Sequence, residues 1–546
     1  MDCCKCMGYH ETNMDYFIKQ IKQNKSDIEY IKSLLPFTIP NVQSIYFVSE
    51  IEDLPTFVNT HQNYLLIFDD NKDHNVDNVI FENDVVLLFL NGTLGGNLTI
   101  NGTIISPIRK IFSNYDNLVV NNNKGYPEYF GAKPNDPLFY NQKLIEDCLK
   151  VFSNVNFRQA DYYINDTIVI DAAHKVISGV KTNQEYTPSK NYGSRIIQVG
   201  NKSAIKIGDG TDTGIQSIYI DNISIICDSD DKITSGIIID GVRDLRLKNI
   251  TVSNFNYGYN IGYCILSYIT NCRYLNNTTD QSTKVAFNIL DKVPSSLGIS
   301  SIVSLYIDQC DIHFNSSMDT HFGIYFSGIN PIADISIQNT NFFGCGKGIF
   351  LKASSISETQ QNVLISNNTV DNTTDGITID GKIKALITNN LISSGSWSKL
   401  TKHCLYILNN TGVVAVDNML KSGENTDNDY GIRVVQSDLL RLENSLINFT
   451  NPLFISNSKN VKSKNVFENR KAITKYTCIY QSVSKLIDES VIKGDNSDSI
   501  QLLTCTDATI FITGLVGSKV VIGSAPITSN DVMKVLDNNI VLVGAK

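Results

Sequence analysis

A six-residue pattern recurs nine times between residues 220 and 447 of this chain. Most copies read apolar–x–Asn–x–x–apolar, as in IDNISI (220–225), ITNNLI (387–392) and LENSLI (442–447). The central residues, spaced 22 to 38 positions apart, are Asn222, Asn249, Asn271, Gln309, Asn339, Asn367, Asn389, Asn418 and Asn444. A period of this length is too short for a domain and is typical of one coil in a stacked repeat structure.

A second pattern, a small residue followed by an apolar pair, comes after most copies of the first, as in GIIID (236–240), GIYFS (323–327) and GITID (376–380). Helical periodicity is absent from the repeats, and their short apolar runs predict strands. At a tight bend Asn tolerates the left-handed backbone conformation, and its amide can bond to Asn in the next coil as a ladder. We therefore predict an all-β fold, a right-handed parallel β-helix with two or three strands in each coil.

The stretch PEYFGAKPNDPLFYNQKLIEDCLKVF (127–152) stands before the repeats. It resembles the entry segment of the pectate-lyase-like β-helix superfamily, which includes phage tailspikes and capsule depolymerases. The matching residues are Pro127, Glu128, Phe130, Gly131 and Ala132, followed by Tyr163 and Ile164. The resemblance implies a capping helix at about residues 139–151 that covers the open end of the coils. After Ala132 the chain departs from the family pattern, because only Asp136 remains of the usual Asp-Gly and Asp pair.

Residues 14–35 carry apolar side chains at steps of three and four. The apolar residues are Met14, Phe17, Ile21, Ile28, Ile31 and Leu35, and Asn24 fills the one remaining position. The steps define heptads with a at 14, 21, 28 and 35 and d at 17, 24 and 31. So narrow a seam, with Ile at a positions and one Asn, predicts a trimeric coiled coil. The alternative is an amphipathic helix lying on its own domain. Cys3, Cys4 and Cys6 precede the seam, and two roles stay open for them: metal binding between three copies, or contact with a partner protein.

These features divide the 546 residues into four segments. Residues 1–40 are predicted to hold a virion-attachment peptide and the trimeric coiled coil. Residues 41–125 are predicted to form a small β head, because LTINGTIISPIRKIF (98–112) resembles the head that precedes the entry turn in the same superfamily. Residues 126–475 are assigned to the β-helix with its capping helix. In residues 476–546 the Asn pattern ends, and we expect a few closing strands.

Composition excludes several functional classes. The formal net charge is −9 and the pI about 5.4, which argues against nucleic acid as a partner. No apolar run approaches the ~20 residues of a membrane helix. The first residues lack the apolar core of a secretion signal, so we expect synthesis in a host cytoplasm. Cys272, Cys310, Cys345 and Cys404 stand in or beside apolar runs and are predicted to be small buried hydrophobes.

The turns six to twelve residues beyond each repeat Asn carry acidic and aromatic side chains. Because neighbouring coils lie about 4.8 Å apart, residues at one offset form a line along the stack. Sugars bind where aromatic faces lie beside carboxylates and amides, so we predict that this line is the substrate-binding surface. Its members are Asp228, Asp230, Tyr257, Asp280, Asp319, His321, Asp375, Trp397, Glu424 and Asp427, and Trp397 is the only tryptophan in the chain.

Glycoside hydrolysis needs two carboxyl groups, about 5–5.5 Å apart for retention and about 6.5–9.5 Å apart for inversion. Asp375 and Glu424 are predicted to lie two coils apart, roughly 9–10 Å by the strand spacing, with Trp397 between them. That separation favours inversion. The other candidate pairs are Asp280 with Asp319 on neighbouring coils, near retaining distance, and Asp228 with Asp230. The competing explanation is that Asp is an ordinary turn residue.

Two other chemistries have weaker sequence support. GDGTDTG (208–214) places Asp209 and Asp212 in a Gly-rich turn, which offers Ca²⁺ few oxygen ligands, so the predicted activity requires no cofactor. A lyase would need an acidic Ca²⁺ cluster beside a base, for which Arg243, Lys248 and Arg273 are available but not convincingly grouped.

The residues and the resemblance together predict a phage tailspike or receptor-binding protein of the virion tail. It would attach to tail or baseplate proteins through its N-terminus, assemble as a homotrimer without a membrane partner, and bind a bacterial surface polysaccharide. Depolymerisation by paired-carboxylate hydrolysis is the expected activity. The alternatives are a non-catalytic structural or receptor-binding appendage with the same β-helix, a polysaccharide lyase, and a free bacterial polysaccharidase.

Overall fold

The structure is a computed structural model that describes most of the chain from Gln43 onward. Beyond Val491, and at residues 302, 333, 372 and 475–477, it describes the backbone alone. The residues outside the description are 1–22, 24–42, 122, 182–192, 212–213, 230–233, 278–281, 292–301, 316–318, 330–332, 354–361, 395–401, 423–428, 469–474, 494–496, 504–505, 512–519, 523–524, 528–534, 537–539 and 544–546. The predicted coiled coil and the three cysteines before it therefore lie outside the described residues.

Contacts divide the chain into two compact units. The described part of the first unit runs to Ile164 and also includes His174–Val180 and residues 193–194, and the second unit holds the rest. In the first unit, Ser44–Phe47, Tyr64–Phe68, Val86–Phe89 and Thr103–Ile105 form one parallel sheet. Asp73–Phe81, Thr93–Ile100 and Phe112–Val120 form a second parallel sheet. Parallel coils thus begin before the entry segment.

The remaining elements of the first unit are short. They are the 3₁₀ turns Val48–Glu50 and Pro127–Phe130, the helices Leu54–Thr60 and Gln142–Val151, and the strands Lys124–Gly125, Asn154–Asn156, Asp161–Ile164 and Lys175–Ser178. The predicted helix at 139–151 is present, but it begins three residues later, at Gln142. The strand Ser194–Gln198 has its first residue in this unit and the others in the second.

The entry turn has a clear physical reason for its residues. Pro127 opens the 3₁₀ turn, and Gly131 ends it in the left-handed region at φ 100°, where a side chain would be strained. Glu128 is 3% exposed. Its Oε1 accepts a hydrogen bond from the Tyr162 hydroxyl at 2.9 Å and lies 2.8 Å from Arg158 Nε. Phe130 packs 6.2 Å from the Phe152 ring, just beyond the helix. The PEYFG motif is thus a buried polar and aromatic junction.

The second unit is a parallel β-helix built on two long sheets, which we name sheet 1 and sheet 2. Sheet 1 has 13 parallel strands. In order, they are Ile168–Ile170, Ile205–Ile207, Ser235–Ile239, Tyr257–Ile261, Lys284–Ile289, His321–Gly328, Lys347–Ala353, Asp375–Gly381, Lys402–Leu408, Asp429–Val435, Asn451–Ser456, Lys475–Gln481 and Ser497–Leu503.

Sheet 2 receives one or two strands from each coil. Its strands in this unit are Ile215–Asp221, Ile223–Cys227, Val242–Lys248, Thr251–Ser253, Cys264–Thr270, Arg273–Asn276, Ile302–Asp308, Asp311–Phe314, Ala333–Gln338, Asn341–Phe343, Val363–Ser366, Thr369–Thr373, Ala385–Thr388, Leu391–Ser394, Val413–Lys421, Asp438–Ile447, Lys459–Ser463, Val466–Glu468, Ser484–Asp488, Val491–Lys493, Thr506–Phe511, Val535–Leu536 and Ile540–Val543. Val535–Leu536 pairs antiparallel with Ile540–Val543, and Val520–Ile522 pairs antiparallel with Ala525–Ile527.

The core of the second unit consists of side chains stacked from coil to coil. One inward column of sheet 1 is 0% exposed throughout, and it consists of Ile237, Tyr259, Phe287, Ile324, Ile349, Ile377, Leu405, Ile432 and Leu453. Within it the Tyr259 and Phe287 rings stack at 4.7 Å. Burying one large apolar side chain contributes about 1.5–3 kcal/mol, so such columns stabilise each coil through its neighbours.

The repeat asparagines occupy two different positions. From Asn222 to Asn389 the central residues have φ between 50° and 60°, the left-handed conformation that was predicted. Asn418 and Asn444 do not, so the prediction is wrong for these two copies, and Asp417 has the positive φ instead. They belong to a buried ladder of asparagines, which in the copies at Asn367 and Asn389 stands one residue after the bend. The ladder consists of Asn368, Asn390, Asn418, Asn444 and Asn465. The Nδ2 atom of each of the first four donates to the Oδ1 atom of the next at 2.8 to 3.3 Å.

The cysteine prediction is confirmed. Cys272, Cys310, Cys345 and Cys404 are buried and carry free thiols. Among the described helices, none is long and apolar enough to cross a membrane.

Candidate functional site

The predicted site residues that the structure describes do not form one line of turns. Tyr257 and Asp375 are the first residues of their strands in sheet 1, and both point outward. Strand register places them in one column, made of Tyr257, Val285, Phe322, Lys347, Asp375, His403, Tyr430 and Asn451, in which Val285 and His403 are buried and the others are partly exposed. The other catalytic candidates Glu424 and Asp280, and the binding candidates Asp230, Trp397 and Asp427, lie outside the described residues.

Asp375 is held between two cationic or polar neighbours from the adjacent coils. Its Oδ2 lies 3.8 Å from Lys347 Nζ, and its Oδ1 lies 2.7 Å from His403 Nδ1. The side chain is only 14% exposed. Asp375 is therefore a partly buried, paired carboxylate at the start of a strand, and not the solvated turn residue that the competing explanation describes.

The hydrogen bonds of His403 determine its tautomer. Arg433 Nη1 lies 3.1 Å from His403 Nε2, and a guanidinium can only donate. Nε2 must therefore carry the lone pair, so the proton is on Nδ1 and is donated to Asp375. Lys347, Asp375, His403 and Arg433 thus form one chain of contacts across four consecutive strands, roughly 14 Å by the strand spacing.

Aromatic rings lie beneath the two ends of this chain. The Arg433 guanidinium lies 5.3 Å from the Tyr406 ring, 5.7 Å from Tyr430 and 5.4 Å from Phe454. At the other end, Lys347 Nζ lies 5.0 Å from the Phe350 ring, which stacks on Tyr325 at 5.5 Å. These distances are those of cation–π contacts. We name the ionic chain and its rings the sheet-1 strip.

Glycine at the second strand position explains why the strip has two outward columns. A Cβ on Gly376 would lie 2.3 Å from Ile392 Cγ2 and 2.5 Å from the carbonyl oxygen of Cys404, so no side chain fits there. The chain is tight against the core at this point, and the two outward positions are the residue directly before Gly376 and the residue two places after it, together with their register partners on the other strands. The second of these columns consists of Asn260, Asn288, Tyr325, Phe350, Thr378, Tyr406, Arg433 and Phe454.

Asp319 comes close to Asp375 through one hydrogen bond. The Thr374 hydroxyl, on the residue before Asp375, donates to Asp319 Oδ1 at 2.6 Å. The strands that follow Asp319 and begin at Asp375 flank Lys347–Ala353 on its two sides, a separation of roughly 10 Å. Two predicted catalytic carboxylates are therefore near one another, although the sequence paired each of them with a different residue.

Two predicted binding residues do not belong to the strip. His321 is 1% exposed and stacks on Phe314 at 5.0 Å, so the prediction that it contacts substrate is wrong. Asp228 is exposed, but it follows the sheet-2 strand Ile223–Cys227 and its backbone N–H donates to the Gln198 carbonyl. Its place in a line with Asp375 is therefore wrong as well.

The described residues contain no group of three His, Cys, Asp or Glu side chains that would hold a metal ion. Asp209 Oδ1 accepts hydrogen bonds from the backbone N–H and the hydroxyl of Thr211 at 2.9 and 2.8 Å. That is an ordinary Asx turn. Asp212, the second acid of the predicted turn, lies outside the described residues.

Sequence reasoning missed Lys347, His403, Tyr406 and Arg433. The signal was present in the second repeated pattern, where KGIF, DGIT, HCLY and YGIR (347–350, 375–378, 403–406 and 430–433) align. The first and fourth letters vary and, apart from Thr378, carry a charge or an aromatic ring, whereas the second is small or a cysteine and the third is apolar. If the first and fourth positions of this pattern had been assigned to the outer face of the sheet, the sequence would have located the strip.

No protein-family model and no curated protein matches this chain. Among solved structures it is similar to PfbA, a surface adhesin of Streptococcus pneumoniae, with 14% identity over 78% of this chain and 100% of that one, at a TM-score of 0.42. It is similar to tailspike protein 3 of bacteriophage CBA120, with 12% identity over 77% of this chain and 61% of that one, at a TM-score of 0.37.

A family 28 exopolygalacturonase of Yersinia enterocolitica is also similar, with 11% identity over 68% of this chain and 78% of that one, at a TM-score of 0.41. The long parallel sheets of the chain form a parallel β-helix, and the similar structures include a surface adhesin, a phage tailspike and an exopolygalacturonase. These likenesses concern the fold alone.

Proposed function

We propose that this chain is a glycan-binding protein whose sheet-1 strip engages a bacterial surface polysaccharide. The observation that carries the proposal is the ionic chain from Lys347 to Arg433 lying on outward aromatic rings. Aromatic faces pack on the C–H faces of sugar rings, and fixed charges and amides bond to hydroxyl and carboxyl groups. Both kinds of group occur here on one sheet.

The contacts within the strip favour a binding role over acid–base catalysis by His403. Both nitrogens of His403 are engaged, by Asp375 and by Arg433, so the imidazole has no free lone pair with which to take a proton from substrate. Instead the hydrogen bonds fix the orientation of the imidazole and of the guanidinium. Fixed groups lose little conformational entropy when a ligand binds, which favours affinity.

The proposal places the protein on a phage tail as a receptor-binding appendage. Its support is the entry segment that resembles tailspikes and the narrow apolar seam at residues 14–35. In this proposal residues 1–40 attach to tail or baseplate proteins and join three copies. The strip then presents a polysaccharide-binding surface to the host cell.

Binding of purified protein to immobilised capsular polysaccharide and lipopolysaccharide tests the proposal. Tyr406→Ala and Arg433→Gln should each weaken binding about tenfold, which corresponds to ~1.4 kcal/mol. The matched controls are Tyr268→Ala and Arg246→Gln on sheet 2, where the guanidinium lies 5.8 Å from the tyrosine ring. Equal losses in the strip and control variants, or no binding by the unmodified protein, would contradict the proposal.

Hydrolytic depolymerisation is a second candidate function, favoured by the link from Asp319 through Thr374 to Asp375. A separation of roughly 10 Å between their strands is close to the about 6.5–9.5 Å that inverting hydrolysis needs between carboxyl groups. An assay for new reducing ends should give a signal that Asp319→Asn and Asp375→Asn each abolish. Unsaturated products would indicate a lyase, and no products at all would leave binding as the function.

A further inference from the structure

An open polar groove of about 420 Å³ lies beyond the C-terminal ends of the later sheet-1 strands. Four consecutive coils contribute a turn residue in the left-handed conformation: Asn409, Gln436, Asn457 and Ser482, with φ between 48° and 53°. Successive coils are spaced by about 4.8 Å, so the side chains of Gln436 and Asn457 offer amides at that interval, while the Asn409 Nδ2 donates to Asp380 Oδ1 at 3.1 Å. A volume of this size falls within the range of ligand sites, which is about 300–1,000 Å³.

One buried side chain in the groove has an unused acceptor. Asn410 is 0% exposed, and its Nδ2 donates to the carbonyl oxygens of Gly381 and Ile383 at 2.7 and 2.8 Å. Its Oδ1 accepts no hydrogen bond from any residue that the structure describes. A buried acceptor left without a donor costs about 1–3 kcal/mol.

The charge of the groove favours an anionic ligand. Asp438 is the single carboxylate among the lining residues, and it lies 3.4 Å from Lys459 Nζ. Although burial acts in the opposite direction, hydrogen bonds from Asn460 and Lys459 lower the pKa of Asp438, so it remains an anion paired with Lys459. Lys382 also lines the groove and is exposed, so the groove keeps one net positive charge.

The groove continues the sheet-1 strip on the same strands. Asn409, Gln436 and Asn457 stand three residues beyond Tyr406, Arg433 and Phe454, respectively. Three residues of strand span roughly 10 Å, which is within reach of one oligosaccharide that also covers a ring of the strip.

We propose that this groove is a second subsite of the strip and that it binds an acidic sugar of the glycan. The amides of the left-handed residues bond to hydroxyl groups, and Lys382 binds the carboxylate or other anionic group. This inference rests on the proposed glycan-binding function and adds to it the class of glycan, one that carries negative charge.

The test uses short uronic-acid oligosaccharides and the same oligosaccharides after chemical reduction of their carboxyl groups. Gln436→Gly together with Asn457→Gly removes two amides while keeping a residue that favours positive φ. The expected result is about tenfold weaker binding of both probes, as for the loss of two neutral hydrogen bonds. Lys382→Gln should weaken binding of the acidic probe about tenfold and leave the reduced probe unchanged. Asn389→Gly, a left-handed position at a different bend, is the control for folding.

The outcomes separate the two proposals. If Tyr406→Ala weakens binding and the groove variants bind as tightly as the unmodified protein, the groove subsite is wrong and the strip stands. Equal affinity of the unmodified protein for the acidic and the reduced probes would overturn the preference for an anionic sugar. If the unmodified protein binds neither probe nor any polysaccharide of the first screen, both proposals are overturned.

Discussion

Substitution of two adjacent asparagines, Asn389 and Asn390, should change the free energy of unfolding by very different amounts. Asn389 has φ 57° and makes the bend, whereas Asn390 is 1% exposed and belongs to the buried ladder. Asn389→Gly keeps the backbone conformation, because glycine adopts positive φ without strain. Asn390→Ala does not change the backbone conformation, but it removes a side-chain amide whose oxygen and nitrogen are both hydrogen-bonded.

The expected size of the effect follows from the bonds of Asn390. Its Oδ1 accepts from the N–H and the Nδ2 of Asn368 at 3.0 and 2.9 Å. Its Nδ2 donates to Asn418 Oδ1 at 2.8 Å and to the Ile365 carbonyl at 3.0 Å. After Asn390→Ala, the Asn368 N–H and the Ile365 carbonyl lose these partners in the core. At about 1–3 kcal/mol for each such group, we expect a loss of about 3 kcal/mol.

Asn389→Gly should change the free energy of unfolding by less than about 1 kcal/mol, because relief at positive φ offsets the larger entropy of glycine in the unfolded chain. Urea unfolding followed by circular dichroism measures both variants. Hydrogen exchange in the strands Val363–Ser366 and Ala385–Thr388 localises the change, since repeat structures lose stability coil by coil. If the two variants lost equal stability, or if Asn390→Ala lost none, the assignment of bend and ladder would be refuted.

Three further predictions concern the packing and the buried groups. Gly376→Ala should cost about 2–3 kcal/mol in urea unfolding because its Cβ meets Ile392 at 2.3 Å, whereas Gly412→Ala, with 3.6 Å to the nearest atom, should cost only about 1 kcal/mol through its positive φ. Burial raises the pKa of Glu128 despite the opposing bonds from Tyr162 and Arg158, so the folded form binds its proton more tightly than the unfolded form does. The first unit should therefore lose stability as pH rises above the usual value of about 4.3, and Glu128→Gln should flatten that dependence in thermal unfolding at several pH values. Burial also raises the pKa of Cys272 to about 12, so iodoacetamide at pH 8 should leave this thiol unmodified in the native protein and label it in urea, as mass spectrometry would detect.

The fold could be predicted because the repeat is marked by residue types that suit only a few local backbone conformations. Asn at a bend and a small residue before an apolar pair both reflect local backbone requirements, and neither depends on distant parts of the chain. The assignment failed at Asn418 and Asn444 because the bend and the buried ladder both use Asn at adjacent positions, as in ITNNLI. Residue type alone cannot distinguish the bend position from the ladder position. Asn suits the bend because it tolerates positive φ, and it suits the ladder because its side-chain amide both donates and accepts hydrogen bonds.

The candidate site was harder to predict because its contacts depend on register between coils. The predicted line took the turn six to twelve residues beyond each Asn, but the turns differ in length, so this window does not reach equivalent positions in every coil. His321 illustrates the error: it begins a strand with its ring inside, while the next residue, Phe322, points outward. Asp375 was named as a candidate from its own turn, whereas its contacts Lys347 and His403 come from the register of neighbouring strands.

The contrast between the two faces of sheet 1 indicates what kind of ligand suits it. The inward column from Ile237 to Leu453 is fully buried in each of its nine strands, because each side chain stacks on its neighbours. The outward residues change chemical character from coil to coil, as Lys347, Asp375, His403 and Tyr430 do. Each coil therefore adds one set of contacts at intervals of about 4.8 Å. Under the proposed glycan-binding function, a compact molecule would meet only one or two of these sets, whereas an extended polysaccharide lying across the strands would meet all four, so its affinity should grow with every coil that it crosses.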